Sequence, residues 1–333
     1  MPSGEFKAAT VIYLFTCAVT SSSLNGIVIY VFTKIGLKKL TFKDALVFST
    51  SIGDFIQALL GYSLEIYAAV STKNQAVKTG NNFCKASAFT ITFLALSSTA
   101  HLTALAYDRY LKICKPFMAN RIHGSYILCT AFISSCWTYG FVWAAFPLIG
   151  WSGYELESDA LRCSIDWASK KTKDHLYIIF LFIFCFIIPV SVMCYSFYRV
   201  KQELREMQSR ASNLFGRESK AAKDNVRAEK RHTRLAIVMC MVFIITWMPY
   251  TLLSFWASFF THIAKFPIIL ATISAAIAKS STLSNPIVYI AMHRRFRRRV
   301  LETPFFKAIC CQCSLLRWFR KRPLKKGHQE SWV

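Results

Sequence analysis

Seven long apolar stretches separated by basic runs constrain this chain more than any other feature. They cover about 9–33, 44–70, 83–108, 125–149, 175–198, 235–260 and 266–290. A helix rises about 1.5 Å per residue, so about twenty apolar residues cross the hydrocarbon core of a bilayer. Each stretch is long enough to do so. Hydrophobic residues make up 54% of the chain and aromatics 15%, with a mean hydropathy of +0.35. That balance excludes an ordinary soluble domain. The expected fold is an all-α membrane protein, a seven-transmembrane helix bundle over 9–290, without internal repeats or a second domain.

A net charge of +24 raises the question of nucleic acid, but the Lys and Arg residues lie between apolar stretches rather than on one face of a domain. No nucleic-acid partner is expected. Basic residues follow the first, third, fifth and seventh stretches: Lys38 and Lys39; Lys112, Lys115 and Arg121; Lys201 to Arg234; and Arg294 to Lys326. The positive-inside rule makes those segments cytoplasmic and puts residues 1–8 outside. No cleavable signal peptide and no N-glycan acceptor are expected near the N-terminus. Pro147, Pro189, Pro249 and Pro286 fall within spans, where they free backbone groups and introduce kinks. Residues 291–302 combine Phe296, Val300 and Leu301 with a basic remainder, the pattern of a short amphipathic helix on the inner membrane surface. Residues 303–333 form a cytoplasmic tail.

Most of the 12 cysteines lie in apolar stretches or the tail. Cys84 and Cys163 instead fall on the outer side, where a disulfide between them is expected. Their separation is not legible in the sequence. Lys279 stands alone as a charge within the seventh stretch. A lysine in mid-membrane costs roughly 2.5–3.5 kcal/mol on insertion scales, so a functional role with a named partner is the default reading.

The motifs fall in register with one family. Asn25, Asp54, Asp108-Arg109-Tyr110, Trp137, Pro189, Trp247-Met248-Pro249 and Asn285-Pro286-Ile287-Val288-Tyr289 occur in order on the first to seventh stretches. The chain thereby resembles rhodopsin-like G-protein-coupled receptors. Lys279, six residues before Asn285, together with Gly150-Trp151-Ser152-Gly153-Tyr154 and Cys163-Ser164-Ile165-Asp166, resembles opsins. The similarity is strongest to cnidarian opsins of the box-jellyfish type. The resemblance implies 11-cis-retinal bound covalently to Lys279 as a protonated Schiff base, with no metal. A desolvated lysine keeps neutral amine that condenses with an aldehyde, and the resulting buried cation requires a counterion.

Visual pigments of vertebrates carry a glutamate three residues after the cysteine of the third span; here that position is Ser87. Glu157 matches an outer-loop glutamate of many opsins. Glu65 is favoured as principal counterion, with Glu157 secondary. Eleven residues separate Glu65 from Asp54, which in an ideal helix returns to within about 20° of the same face and about 16 Å further out. The resemblance adds Thr92, Ala95, Leu96, Ile165, Trp167, Phe186, Phe243, Trp247, Tyr250, Ala275 and Ala278 as pocket residues. Trp247 is the side chain expected to pass a change of shape to the sixth span at Pro249.

For signal output the resemblance implies a lock of Asp108, Arg109 and Glu229, with Tyr110, Asn285, Pro286 and Tyr289 supporting the switch. The tyrosine expected on the fifth span is replaced by Phe197, beside Tyr195 and Tyr198, which leaves Tyr289 without its usual partner. Pro116 and Phe117 offer an apolar plug to a G protein. Together with His293-Arg294-Arg295, the resemblance implies Gs and cyclic AMP, with arrestin and a receptor kinase as further partners, at the plasma or a photoreceptor membrane. Cys310, Cys311 and Cys313 are candidate lipidation sites, and Ser331-Trp332-Val333 fits a PDZ ligand. The chain is read as a receptor rather than an enzyme. Coupling to Gi/o or Gq, a retinal photoisomerase and a receptor for a diffusible ligand remain alternatives.

Overall fold

Six of the apolar stretches become helices long and apolar enough to cross a bilayer, at Gly4–Ile35, Phe42–Val70, Asn82–Cys114, Tyr126–Ile149, Thr172–Arg210 and Asp224–Phe259. The seventh span is two halves, Ile268–Lys279 and Ser281–Met292. An eighth helix, Arg294–Glu302, follows. The computed structural model describes residues 4–70, 82–157, 162–214, 220–260 and 268–303. Cys310, Cys311, Cys313 and the terminal tripeptide lie outside them.

The third, fifth and sixth helices overrun their apolar stretches, reaching Cys114 and Leu214 and starting at Lys220. Those added turns are charged, so hydropathy could not count them. All of them lie at the basic end of the bundle, near Arg109. The opposite end is closed by an antiparallel hairpin, β1 (Tyr154–Leu156) and β2 (Cys163–Ile165), in the register Tyr154 to Ile165 and Leu156 to Cys163. Cys163 is joined to Cys84 with the Cα atoms 5.4 Å apart, which fixes β2 to the start of the third helix. Tyr154 is buried and donates to the Ala144 carbonyl at 2.8 Å, which ties β1 to the fourth helix.

Two helices are widened by a π turn. The second has a π turn at Gln57–Gly61, and the fifth has one at Ile183–Ile187 just before Pro189. A π turn and a following proline both leave carbonyls without their usual donor. In the fifth helix the Phe184 carbonyl takes the Tyr139 hydroxyl of the fourth at 2.6 Å. Close approach elsewhere depends on glycine: a Cβ on Gly140 would stand 2.7 Å from the Phe93 carbonyl oxygen and from the Ser97 nitrogen, so the fourth helix lies against the backbone of the third.

The eighth helix is anchored to the bundle through its apolar side. His293 caps it, accepting from the Phe296 amide at 3.2 Å, and Phe296 and Val300 are buried. The Phe296 ring lies 4.9 Å from that of Phe32 and 4.8 Å from that of Tyr289. Its apolar face packs on the first and seventh helices.

Candidate functional site

Lys279 ends the first half of the seventh span, and the chain turns at Ser280 before the helix resumes. The broken ladder leaves carbonyls that need other partners. Pro286 has no N–H to offer the Thr282 carbonyl four residues back; Asn25 Nδ2 donates there at 2.9 Å and Ser21 Oγ at 3.3 Å. The Lys279 carbonyl accepts from the Tyr62 hydroxyl at 2.9 Å and from Thr282 Oγ1 at 3.1 Å. Tyr13 donates to the Ala276 carbonyl at 2.7 Å. Side chains of the first and second helices thus hold the main chain on both sides of the lysine.

The Lys279 side chain meets Glu65, with Nζ 3.2 Å from Oε1. Glu65 is 1% exposed and Lys279 7%. The second oxygen, Glu65 Oε2, is buried with no hydrogen-bond partner among the described residues. The route by which Glu65 arrives differs from the ideal-helix expectation. The π turn absorbs one of the eleven residues from Asp54 to Glu65, which turns Glu65 by about 100°, to roughly 80° on the other side of Asp54. Asp54, before the turn, takes Ser98 Oγ at 3.2 Å and Asn285 Nδ2 at 2.9 Å, while Glu65, beyond it, meets Lys279.

Both residues line a largely apolar cavity of about 1190 Å³, its mouth included. Every pocket position inferred from the sequence lies in its wall: Thr92, Ala95, Leu96, Glu157, Ile165, Trp167, Phe186, Phe243, Trp247, Tyr250, Ala275 and Ala278. Trp247 donates through Nε1 to Ser281 Oγ at 3.0 Å, which links the sixth helix to the break in the seventh. Glu157 is not open to Lys279 in the same way. It pairs with Arg162, and its Oε1 accepts from the Tyr250 hydroxyl at 3.3 Å.

At the basic end, Arg109 pairs with Asp108, its Nε donating to Oδ2 at 2.9 Å. Arg109 Nη1 stands 3.9 Å from Glu229, which is closer to Lys112 at 3.4 Å. His123 approaches the other oxygen of Asp108 at 2.7 Å. Tyr110 packs on Tyr195 with ring centroids 5.9 Å apart. Tyr289 donates to Asp44 Oδ1 at 2.8 Å, so its partner is on the second helix. Phe117, behind Pro116 at the start of the short helix Pro116–His123, is 91% exposed.

A profile of the 7 transmembrane receptor (rhodopsin family) matches residues 24–289. Visual pigment-like receptor peropsin of Mus musculus is 30% identical over 87% of this chain and 82% of its own length. The chain is an opsin of the rhodopsin family. Pinopsin of Gallus gallus is 28% identical over 89% of this opsin and 79% of its own length. The crystal structure of squid rhodopsin superposes with a TM-score of 0.82 at 25% identity, covering 94% of this opsin and 89% of that chain. Membership makes this a multi-pass membrane receptor and implies a retinal chromophore and a heterotrimeric G protein. The matched proteins are receptors, not enzymes.

Sequence reasoning missed Arg162 and Tyr62. Arg162 is 6% exposed and lies in the cavity wall of this opsin; its place beside Cys163, which the disulfide draws inward, was the available signal. Tyr62 had no signal, because its reach to the Lys279 carbonyl depends on the π turn preceding it.

Proposed function

We propose that this opsin binds 11-cis-retinal on Lys279 as a protonated Schiff base, with Glu65 as principal counterion and Glu157 secondary, and signals through Gs. The observation that carries this reading is the 3.2 Å contact of Lys279 with Glu65 in the wall of an apolar cavity. The residues fit such a group: a buried carboxylate with one oxygen unpartnered and an amine whose main chain is held from two other helices. Retinal, when bound there, supplies visible absorption and a light-driven change of shape.

The chain's own residues supply the rest. Glu65 holds the proton at the Lys279 nitrogen, because a buried cation without an opposing charge is expensive. Apolar walls exclude water. Trp247, displaced from Ser281, lets the sixth helix swing about Pro249, and the contact between Arg109 and Glu229 then opens. That opening exposes a surface for a G protein, a two-state change biased from the cavity. Phe117 is the exposed plug for it. In this reading the basic end is cytoplasmic and residues 1–8 are extracellular. Residues 291–302 and 303–333 are the inner helix and tail, where arrestin, a receptor kinase and a PDZ domain would act and Cys310, Cys311 and Cys313 would carry lipid. Gs and the likeness to cnidarian opsins rest on His293-Arg294-Arg295.

Reconstitution with 11-cis-retinal tests the reading. The expected results are a visible band trapped on Lys279 by borohydride, a shift to the ultraviolet in Glu65→Gln, and light-dependent cyclic AMP in cells. A band without cyclic AMP points to Gi/o, Gq or isomerase chemistry. A shift in Glu157→Gln but not in Glu65→Gln reverses the two acids.

A further inference from the structure

Four charged side chains line the cavity: Lys279, Glu65, Arg162 and Glu157. Their close contacts include two ion pairs. Lys279 meets Glu65 at 3.2 Å, and Arg162 Nη2 meets Glu157 Oε2. The second pair is as deep as a loop allows, its side chains 7% and 12% exposed. The backbone sets it in place: the Glu157 amide donates to the Arg162 carbonyl at 2.9 Å, extending the β1–β2 ladder so that both side chains leave the same rung. Tyr250 of the sixth helix donates to the remaining oxygen of Glu157 and accepts from Trp167 Nε1, each at 3.3 Å.

We propose that Arg162 is a positioning residue that selects the acid serving Lys279: by holding Glu157 in its own ion pair, it withholds that carboxylate and leaves Glu65 as the partner. The proposal rests on the reading of Glu65 as counterion. Two carboxylates facing one amine in an apolar cavity cannot both stay ionised cheaply, and one takes up a proton. A second fixed cation removes that conflict and makes each pair neutral by itself. Taking Arg162 away leaves Glu157 as the uncompensated member. It then either binds a proton, when Glu65 is present, or turns to the nitrogen of Lys279, when Glu65 is absent.

The test is suppression. Glu65→Gln reconstituted with 11-cis-retinal absorbs in the ultraviolet at neutral pH, and Glu65→Gln/Arg162→Gln returns to the visible because Glu157 is released. Adding Glu157→Gln to that double variant abolishes the return. Glu65→Gln/Arg162→Lys, which keeps the cation, stays in the ultraviolet. Arg162→Gln alone keeps a visible band, which certifies its fold. Without retinal, infrared spectra of Arg162→Gln gain a protonated-carboxyl band that Arg162→Gln/Glu157→Gln lacks. A visible band in Glu65→Gln itself overturns the Glu65 assignment beneath the proposal. An ultraviolet Glu65→Gln that remains so with Arg162→Gln added, together with no new infrared band, overturns the role of Arg162 alone.

Discussion

Deleting the hydroxyl of Ser281 asks whether the sixth helix is tied to the break in the seventh. Trp247 Nε1 donates to Ser281 Oγ at 3.0 Å, and Ser281 is 4% exposed. A hydrogen bond of this kind contributes about 0.5–1.5 kcal/mol net. The resting arrangement keeps the bond, and a signalling arrangement with Trp247 swung away lacks it. Ser281→Ala therefore moves the balance toward signalling by roughly 2- to 13-fold in darkness. Nucleotide exchange on the G protein, measured in the dark and normalised to pigment absorbance, reads that ratio. Ser281 is not in the cavity wall, so the absorption maximum stays put. Trp247→Phe removes the donor, and Ser281→Ala then adds nothing, as a double-mutant cycle requires of a shared contact. An unchanged dark rate in Ser281→Ala, or two independent and multiplying effects, refutes the link.

Three further outcomes follow from the packing. Gly140→Ala pushes a methyl into the backbone of the third helix and costs roughly 1–3 kcal/mol, read as a lower thermal unfolding temperature with no spectral change. Glu229→Gln removes the opposing charge 3.9 Å from Arg109 while sparing Asp108, and nucleotide exchange in the dark rises relative to the parent; an unchanged dark rate shows that this contact does not hold the resting state. Cys163→Ser frees β2 from the third helix, and the visible band is lost with the cavity's lid, as absorbance after reconstitution measures.

The motif residues were legible because each is needed by a neighbour the fold brings to it: Asp54 by Asn285 and Ser98, Pro286 by Asn25, Cys84 by Cys163. Apolar length alone located the spans. Phase was not legible. Nothing in Gln57-Ala58-Leu59-Leu60-Gly61 announces a π turn, and the ideal helix that brought Glu65 onto the face of Asp54 reached a buried position by the wrong rotation. The partner of Tyr289 was hidden for a related reason: Phe197 showed which hydroxyl was missing, but Asp44 sits on a different helix. The apolar residues of 291–302 were legible as a face, yet a sequence does not say whether a face meets lipid or Phe32.

The break after Lys279 gives the cavity unequal walls. In an unbroken helix, Lys279 would be held by its own ladder and would move with its span. Here the carbonyls around it also accept from Tyr13, Asn25, Ser21 and Tyr62, all on the first and second helices. Displacing that main chain means losing several buried hydrogen bonds at once, each contributing about 0.5–1.5 kcal/mol net. On the opposite side, the Trp247 indole is held by a hydrogen bond to Ser281, and behind it Pro249 interrupts the ladder of the sixth helix. A force generated between the two meets a stiff anchor at the lysine and a compliant one at the tryptophan. In the proposed activation, motion is thereby directed into the sixth helix, whose far end carries Glu229 opposite Arg109.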